Sequence, residues 1–469
     1  MPTHLAIDLG ASSGRIIAGT PTDDGIHQEE MYRFDNPILR RNGGCYWDLN
    51  HLFESIVEGL KRCAQRYGSD IASIGIDTWG VDVVLFRQEG SLLIPIDDPH
   101  CYRDGYTTPE VMRQVFDKVP RETIYQKTGI QFMNFNTLFQ LAALSDSARS
   151  ADKILFMPDA LSYLLTGKAV CEETICSTSQ FMNLATRLPD ADLLAALGLH
   201  ASQFGEPVKP GTPIGTLLPS ICQRTGLKEI PVIAVAGHDT ASAVAAVPSS
   251  HKLYTFLSCG TWSLLGSVIP SPIVTPASYE ANFTNEGGIF GTTRFLKNIC
   301  GLWLLERCRQ EWDDAPDSVA QLCAEAEAAV DCGARLNPDD PLFANPDSMT
   351  QAIDEHLKAS GQSIPQGYAQ TARCIFESLA LRYAQVLRQL EELTGRSDEE
   401  LHIIGGGSQN AFLMQLTANA TRRTVIAGPA ESTALGNILM QLDQTRGDNL
   451  ALRRMAALSS TRTFIPKEC

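Results

Sequence analysis

The chain has 469 residues, 44% hydrophobic and 20% charged, the balance of a globular protein and enough length for two domains or more. A net charge of −16 argues against nucleic acid as the main partner, because such binding needs a basic footprint, but leaves room for a phosphorylated small molecule held locally. No apolar stretch approaches the roughly 20 residues of a membrane span, so no membrane partner is expected.

The opening, MPTHLAIDLG, has no basic region ahead of an apolar segment and reads as the first strand of a folded, cytoplasmic protein. The 13 cysteines form no Cys-x-x-Cys and no Cys/His zinc spacing, so they read as reduced thiols, mostly small core residues. Oligomeric state is not legible.

Residues 4–9 (HLAIDL) read as a strand, Gly10 to Gly14 as a tight turn, and 15–19 as the returning strand. Leu49, Leu52, Phe53, Ile56, Val57, Leu60 and Ala64 recur at helical spacing and predict a helix over 49–67. A strand over 71–77, the turn Thr78-Trp79-Gly80 and a strand over 81–86 follow. The apolar run PVIAVAG (231–237) predicts a buried strand that turns at Gly237 into a helix begun by Asp239. Residues 253–258, the turn Cys259-Gly260-Thr261 and 262–268 repeat the strand–turn–strand theme. Residues 310–367 read as polar and irregular. A long amphipathic helix over 371–393 ends at Gly395, and 401–420 read as strand, Gly405-Gly406-Gly407, helix.

Strands alternating with helices indicate an α/β protein. The segments IDLGASSGRIIA and FLSCGTWSLLGS are two copies of one hairpin, which suggests a duplicated domain, a boundary near Pro248-Ser249-Ser250 and a site between the copies. Two unrelated hairpins would give the same pattern.

Asp239 stands at a strand's C-terminal edge and a helix's N-terminal end, where open α/β sheets bind ligands, and is a candidate general base; the alternative is a helix cap. Asp8, on the strand entering the first turn, is a candidate for Mg²⁺, held through water, with local hydrogen bonding as the alternative. The turns at 10–15, 77–82, 237–240 and 258–263 offer N–H and hydroxyl donors to phosphate oxygens, and Arg15 could add a cation. The glycines at 405–407 would let a flat ligand approach the backbone.

GxxxxGK[ST] and the HRD and DFG elements are absent, which excludes a P-loop protein and a protein kinase. No tyrosine has a lysine four residues on, which disfavours a short-chain dehydrogenase reading of the first turn. A nucleotide-driven switch of the actin or chaperone kind would share the hairpins without needing Asp239.

AIDLGASSGR (6–15), IGIDTWGVD (74–82), TGIQFMNFNTLFQL (128–141), GHDTASAV (237–244), LSCGTWSLLG (257–266), TNEGG (284–288), LKNICGLWLLERC (296–308), ARCIFESLALRYA (372–384), LHIIGGGSQNAFLMQL (401–416) and AGPAESTALGN (427–437) span nearly the whole chain. Together they resemble the FGGY family of carbohydrate kinases, and within it the branch acting on L-rhamnulose.

The resemblance implies two duplicated actin-like (ribonuclease H-like) ATPase domains, 1–247 for the sugar and 248–469 for the nucleotide, with the active site in the cleft between them and closure on sugar binding. It implies ATP- and Mg²⁺-dependent phosphorylation of the 1-hydroxyl of L-rhamnulose, with another small ketose such as L-fuculose or L-xylulose as the alternative substrate. It assigns Asp239 as proton acceptor, Gly80, His238, Thr240 and Asn298 as sugar contacts, Ala11, Ser12, Ser13, Gly14 and Arg15 as the first phosphate turn, Thr261 as the second, and Gly406 as a nucleotide contact.

Asn298 falls in a segment that reads as helical. Glu306 stands where a neutral Gln is expected near the nucleotide, so its carboxylate is expected to turn outward or toward the ribose. Tyr106 stands where many relatives carry a second arginine and cannot supply that charge. Trp79 is a candidate cover for the sugar's methyl edge, with core packing as the alternative.

Overall fold

The strand Thr3–Leu9 is buried at all seven positions, as a strand covered on both faces must be. In the computed structural model, which describes residues 2–443 and 461–467, it is the hub of a six-stranded sheet. The order is Thr212–Thr216, Pro231–Ala234, Ile71–Thr78, Thr3–Leu9, Ser13–Thr22, Gly25–Asp35. Thr3–Leu9 pairs antiparallel with Ser13–Thr22 and parallel with Ile71–Thr78.

Side chains alternate across a strand, so Leu5, Ile7 and Leu9 go to one face and His4, Ala6 and Asp8 to the other. The first set packs with Leu52, Ile56 and Leu60 of the helix Leu49–Tyr67. That helix is capped by Asp48, whose carboxylate accepts from the His51 N–H. On the opposite face Ala6 and Ile17 pack with Ala434, Ile438 and Leu442 of the helix Ser432–Asp443.

The chain divides into two compact units. The first holds the residues up to Pro248, then Ile269–Phe295 and the helix Ser432–Asp443; the second holds Ser249–Val268, Leu296–Glu431 and residues 461–467. A seven-stranded sheet, most of whose residues belong to the second unit, runs Thr284–Gly287, Thr293–Cys300, Trp262–Ile269, Thr255–Cys259, Glu400–Ile404, Thr424–Ala427, Arg462–Phe464. Thr255–Cys259 is antiparallel to Trp262–Ile269 and parallel to Glu400–Ile404. This repeats the pairing of Thr3–Leu9, so the repeat seen in the sequence extends to the sheet topology.

Three local readings differ from the structure. The stretch 310–367 contains the helices Val319–Ala328 and Met349–Ala359, each begun by a serine whose hydroxyl accepts from the backbone N–H three residues on. Ser318 and Ser348 were readable as caps. The long helix starts earlier, at Gly367, and runs to Thr394. Asn298 lies in the strand Thr293–Cys300, not in a helix. A short mixed segment carries no period strong enough to separate the two. Among the described residues no helix is long and apolar enough to cross a membrane, and the cysteines are unpaired.

Candidate active site

Strand register sets up the first cluster. Asp8 faces Arg15 on one neighbouring strand and Asp77 on the other. The Arg15 guanidinium donates twice to Asp8 Oδ2, from Nε at 2.9 Å and NH2 at 2.7 Å. Asp77 is fully buried and accepts from Asn437 Nδ2 at 2.5 Å, while its Oδ1 has no hydrogen-bond partner. Burial first, and the negative charge of Asp8 second, push its carboxyl well above the usual carboxylate range.

Ala11, Ser12 and Ser13 form a partly open turn. It is closed by Gly10 N–H to Ser13 O, while Asn36 donates to Gly10 O and Ser12 O. Gly14 is required sterically: a Cβ there would lie 2.4 Å from the Phe34 ring.

The second cluster lies beside it on the same sheet. Thr78 bridges His238, and the Thr78 N–H donates to Gly237 O. Asp239 is the first residue of the helix Asp239–Ala245, after the N-cap position His238. Its Oδ1 accepts from the Thr240 N–H at 2.5 Å and from Thr240 Oγ1 at 3.2 Å. The side chain keeps 31% of its surface exposed, so it is reachable. Burial raises its carboxyl above the usual range, His238 opposes this and Asp8 adds to it. That is the direction a general base needs.

His238 Nε2 lies 3.4 Å from Asp239 Oδ1. A Cβ on Gly80 would sit 3.3 Å from the same nitrogen, so the glycine keeps the imidazole edge uncovered. Gly237 does not adopt a left-handed conformation. It is small because a Cβ would come within 3.0 Å of Glu172 Oε2.

Glu172 was missed in the sequence. Its buried carboxylate accepts from the N–H groups of Thr174, Ile175 and Gly237 and from Thr174 Oγ1, and the His238 N–H donates to that hydroxyl. It therefore anchors the turn that carries Asp239. Burial pushes its carboxyl up to about 7, against those hydrogen bonds. A carboxyl raised on folding binds its proton more tightly in the native state, so its contribution to stability falls as pH rises from about 4.5 to about 7. The stability of wild type relative to Glu172→Gln should fall across that window, by on the order of 3 kcal/mol. Denaturant melts of both proteins at pH 4.5 and 7.5 check this, and a pH-independent difference would refute it.

In the second unit the hairpin turn is pinned from below. Tyr383 and Ser263 share a 2.7 Å hydrogen bond. Gly260 O and Thr261 O accept from Leu302 N and Trp303 N. Cβ atoms on Gly405 and Gly407 would meet Cys259 at 3.0 and 2.4 Å, whereas one on Gly406 would meet nothing within 4 Å. Of the three glycines only Gly406 is open to a ligand.

Glu306, expected to turn outward or toward the ribose, does not turn outward: it accepts from the Thr261 hydroxyl at 3.1 and 3.3 Å. Its position in the first turn of the helix Trp303–Arg309 aims it at the hairpin turn. Asn298 is half-buried on its strand.

The indole of Trp79 is buried, 4.4 Å from that of Trp47 between ring centroids. Both indole N–H groups donate to Asp82 Oδ2, at 2.9 Å from Trp79 and 2.6 Å from Trp47. Packing accounts for Trp79. Tyr106 donates to Gln140, which donates to Asp82 Oδ1, so it takes part in a hydrogen-bond network that ends on the Asp82 carboxyl group.

Residues 3–246 match the N-terminal domain and residues 255–443 the C-terminal domain of the FGGY family of carbohydrate kinases. The chain belongs to the FGGY family. It is a sugar kinase, and the family's phosphoryl donor is ATP. A curated FGGY relative, the rhamnulokinase of Bacteroides thetaiotaomicron, is 52% identical and covers 99% of this chain and 96% of its own length. The rhamnulokinase of Bacillus subtilis is 40% identical over 94% and 90%. Among solved FGGY-like structures, the gluconate kinase of Lactobacillus acidophilus superposes with a TM-score of 0.80 at 16% identity, covering 99% of this chain and 94% of its own. The xylulose kinase of the same organism gives 0.80 at 16% identity over 100% and 94%. The fold is the family's actin-like α/β ATPase fold.

Proposed function

We propose that the chain transfers the terminal phosphoryl group of ATP to the 1-hydroxyl of L-rhamnulose, giving L-rhamnulose 1-phosphate and ADP. The observation that carries the chemistry is Asp239, a reachable, desolvated carboxylate held by Thr240 at a helix start beside His238. The near full-length likeness to rhamnulokinases supports the choice of sugar.

Asp239 takes the proton of the attacking hydroxyl as the new O–P bond forms and the bond to the ADP oxygen breaks. In a loose transition state that proton leaves late, so positioning matters more than basicity. Gly80, His238, Thr240 and Asn298 contact the sugar. The turn Ala11 to Arg15 and Thr261 cradle phosphates, the Thr261 hydroxyl exchanging its hydrogen bond to Glu306 for one to phosphate, and Gly406 admits the nucleotide.

Asp8 is the residue to hold Mg²⁺, largely through water. Among the described residues no three His, Cys, Asp or Glu side chains form a metal cage. Mg²⁺ keeps most of its waters and binds through one or two carboxylates and substrate phosphates. The unpartnered Asp77 Oδ1 beside Asp8 adds an oxygen donor. When bound, the ion neutralises charge on the phosphates.

The test is ADP release from ATP and Mg²⁺ with L-rhamnulose, L-fuculose, L-xylulose, L-ribulose, D-xylulose and glycerol in turn. A kcat/KM for L-rhamnulose at least about tenfold above the others is expected, the size of one pocket contact. A stronger response to another ketose would move the substrate and point to the loop at Tyr106. No sugar-dependent ADP would overturn the reading.

A further inference from the structure

We infer that Arg294 is a positioning residue that fixes which nitrogen of His238 carries the proton. Arg294 is 1% exposed and lies in the first unit with His238. Its Nε donates to Gly287 O at 2.9 Å, its NH1 lies 3.1 Å from Glu286 Oε2, and its NH2 lies 3.1 Å from His238 Nδ1. Two hydrogen bonds and one ion pair thus hold the buried guanidinium in place.

A guanidinium only donates. An imidazole nitrogen facing it must accept, which leaves the ring proton on Nε2. Nε2 is the nitrogen 3.4 Å from Asp239 Oδ1, on the edge that Gly80 leaves uncovered. His238 therefore presents an N–H donor beside the base, ready for an oxygen of the acceptor sugar. Glu286 Oε2 is also 3.3 Å from Nδ1 and by itself would favour the opposite tautomer. That oxygen is already the counter-ion of Arg294 NH1, and a proton on Nδ1 would point at the guanidinium N–H. Glu286 thus compensates the buried charge of Arg294, and Arg294 sets the ring. The inference rests on His238 and Asp239 belonging to the sugar site.

The test has two arms. In ¹⁵N-histidine NMR of the wild-type protein without ligand, His238 should show a protonated Nε2 and a bare Nδ1. This arm reads the tautomer whatever the sugar proves to be. In the kinetic arm, Glu286→Gln keeps the donor from Arg294 but removes its counter-ion, so it lowers stability, while in the folded protein, checked by thermal melt, the tautomer should be unchanged and the sugar KM within about threefold of wild type. The double variant Glu286→Gln/Arg294→Met removes donor and counter-ion together, so no lone charge is buried. It should lose the fixed tautomer and raise the sugar KM roughly tenfold, the worth of one hydrogen bond, with the ATP KM unchanged. A protonated Nδ1 in wild type, or Glu286→Gln as damaging as the double variant, would show that Glu286 sets the ring. Unchanged NMR and sugar KM in the double variant would equally overturn the inference.

Discussion

Asp239→Asn is expected to lower kcat by about 10²–10⁴-fold, the usual contribution of a general base, while sugar and ATP affinities stay near wild type. The asparagine Oδ1 still accepts from the Thr240 N–H and hydroxyl that hold Asp239, so the side chain keeps its place. What it loses is the capacity to take a proton. Asparagine also serves well at helix starts, so a residue present only to support the helix Asp239–Ala245 would tolerate the change. Steady-state kinetics with calorimetric titration of the sugar separates the two roles. Turnover at the wild-type level would remove Asp239 from the mechanism.

Gly436→Ala is expected to destabilise the protein by on the order of 1–3 kcal/mol, the range for overpacked cores, and to lower activity with it. Gly436 lies on the helix Ser432–Asp443, and a Cβ there would fall 1.7 Å from the backbone oxygen of Ser242. Ser242 is on the helix that begins with Asp239. The obstacle is backbone rather than a flexible side chain, so one of the two helices must move, and Asp239 moves with the second. Gly105→Ala meets open space and is the control. Thermal melts showing Gly436→Ala as stable as Gly105→Ala would mean that the close crossing does not constrain the site.

The sequence by itself determined the two hairpins, four of the six first-sheet strands and the position of Asp239 at a strand-to-helix junction. These are local: a run of apolar residues, a Gly-rich turn and a second run need no distant partner to be recognised.

Only the tertiary structure decided how the candidate site is held. Glu172 and Gly237 are 65 residues apart, Arg294 and His238 56, and Asp77 and Asn437 360. A buried charge or amide chooses its partner by distance and desolvation in the folded chain, and nothing in its neighbouring residues records that choice. The same holds for Glu306, whose hydrogen bond from the Thr261 hydroxyl came only with the fold, and for Trp79, where Asp82 and Trp47 favour core packing of the two readings the sequence left open. Local patterning decides which segments become strands, turns and helices, whereas pairing across the sheet and burial between layers decide what each polar side chain in the site can do.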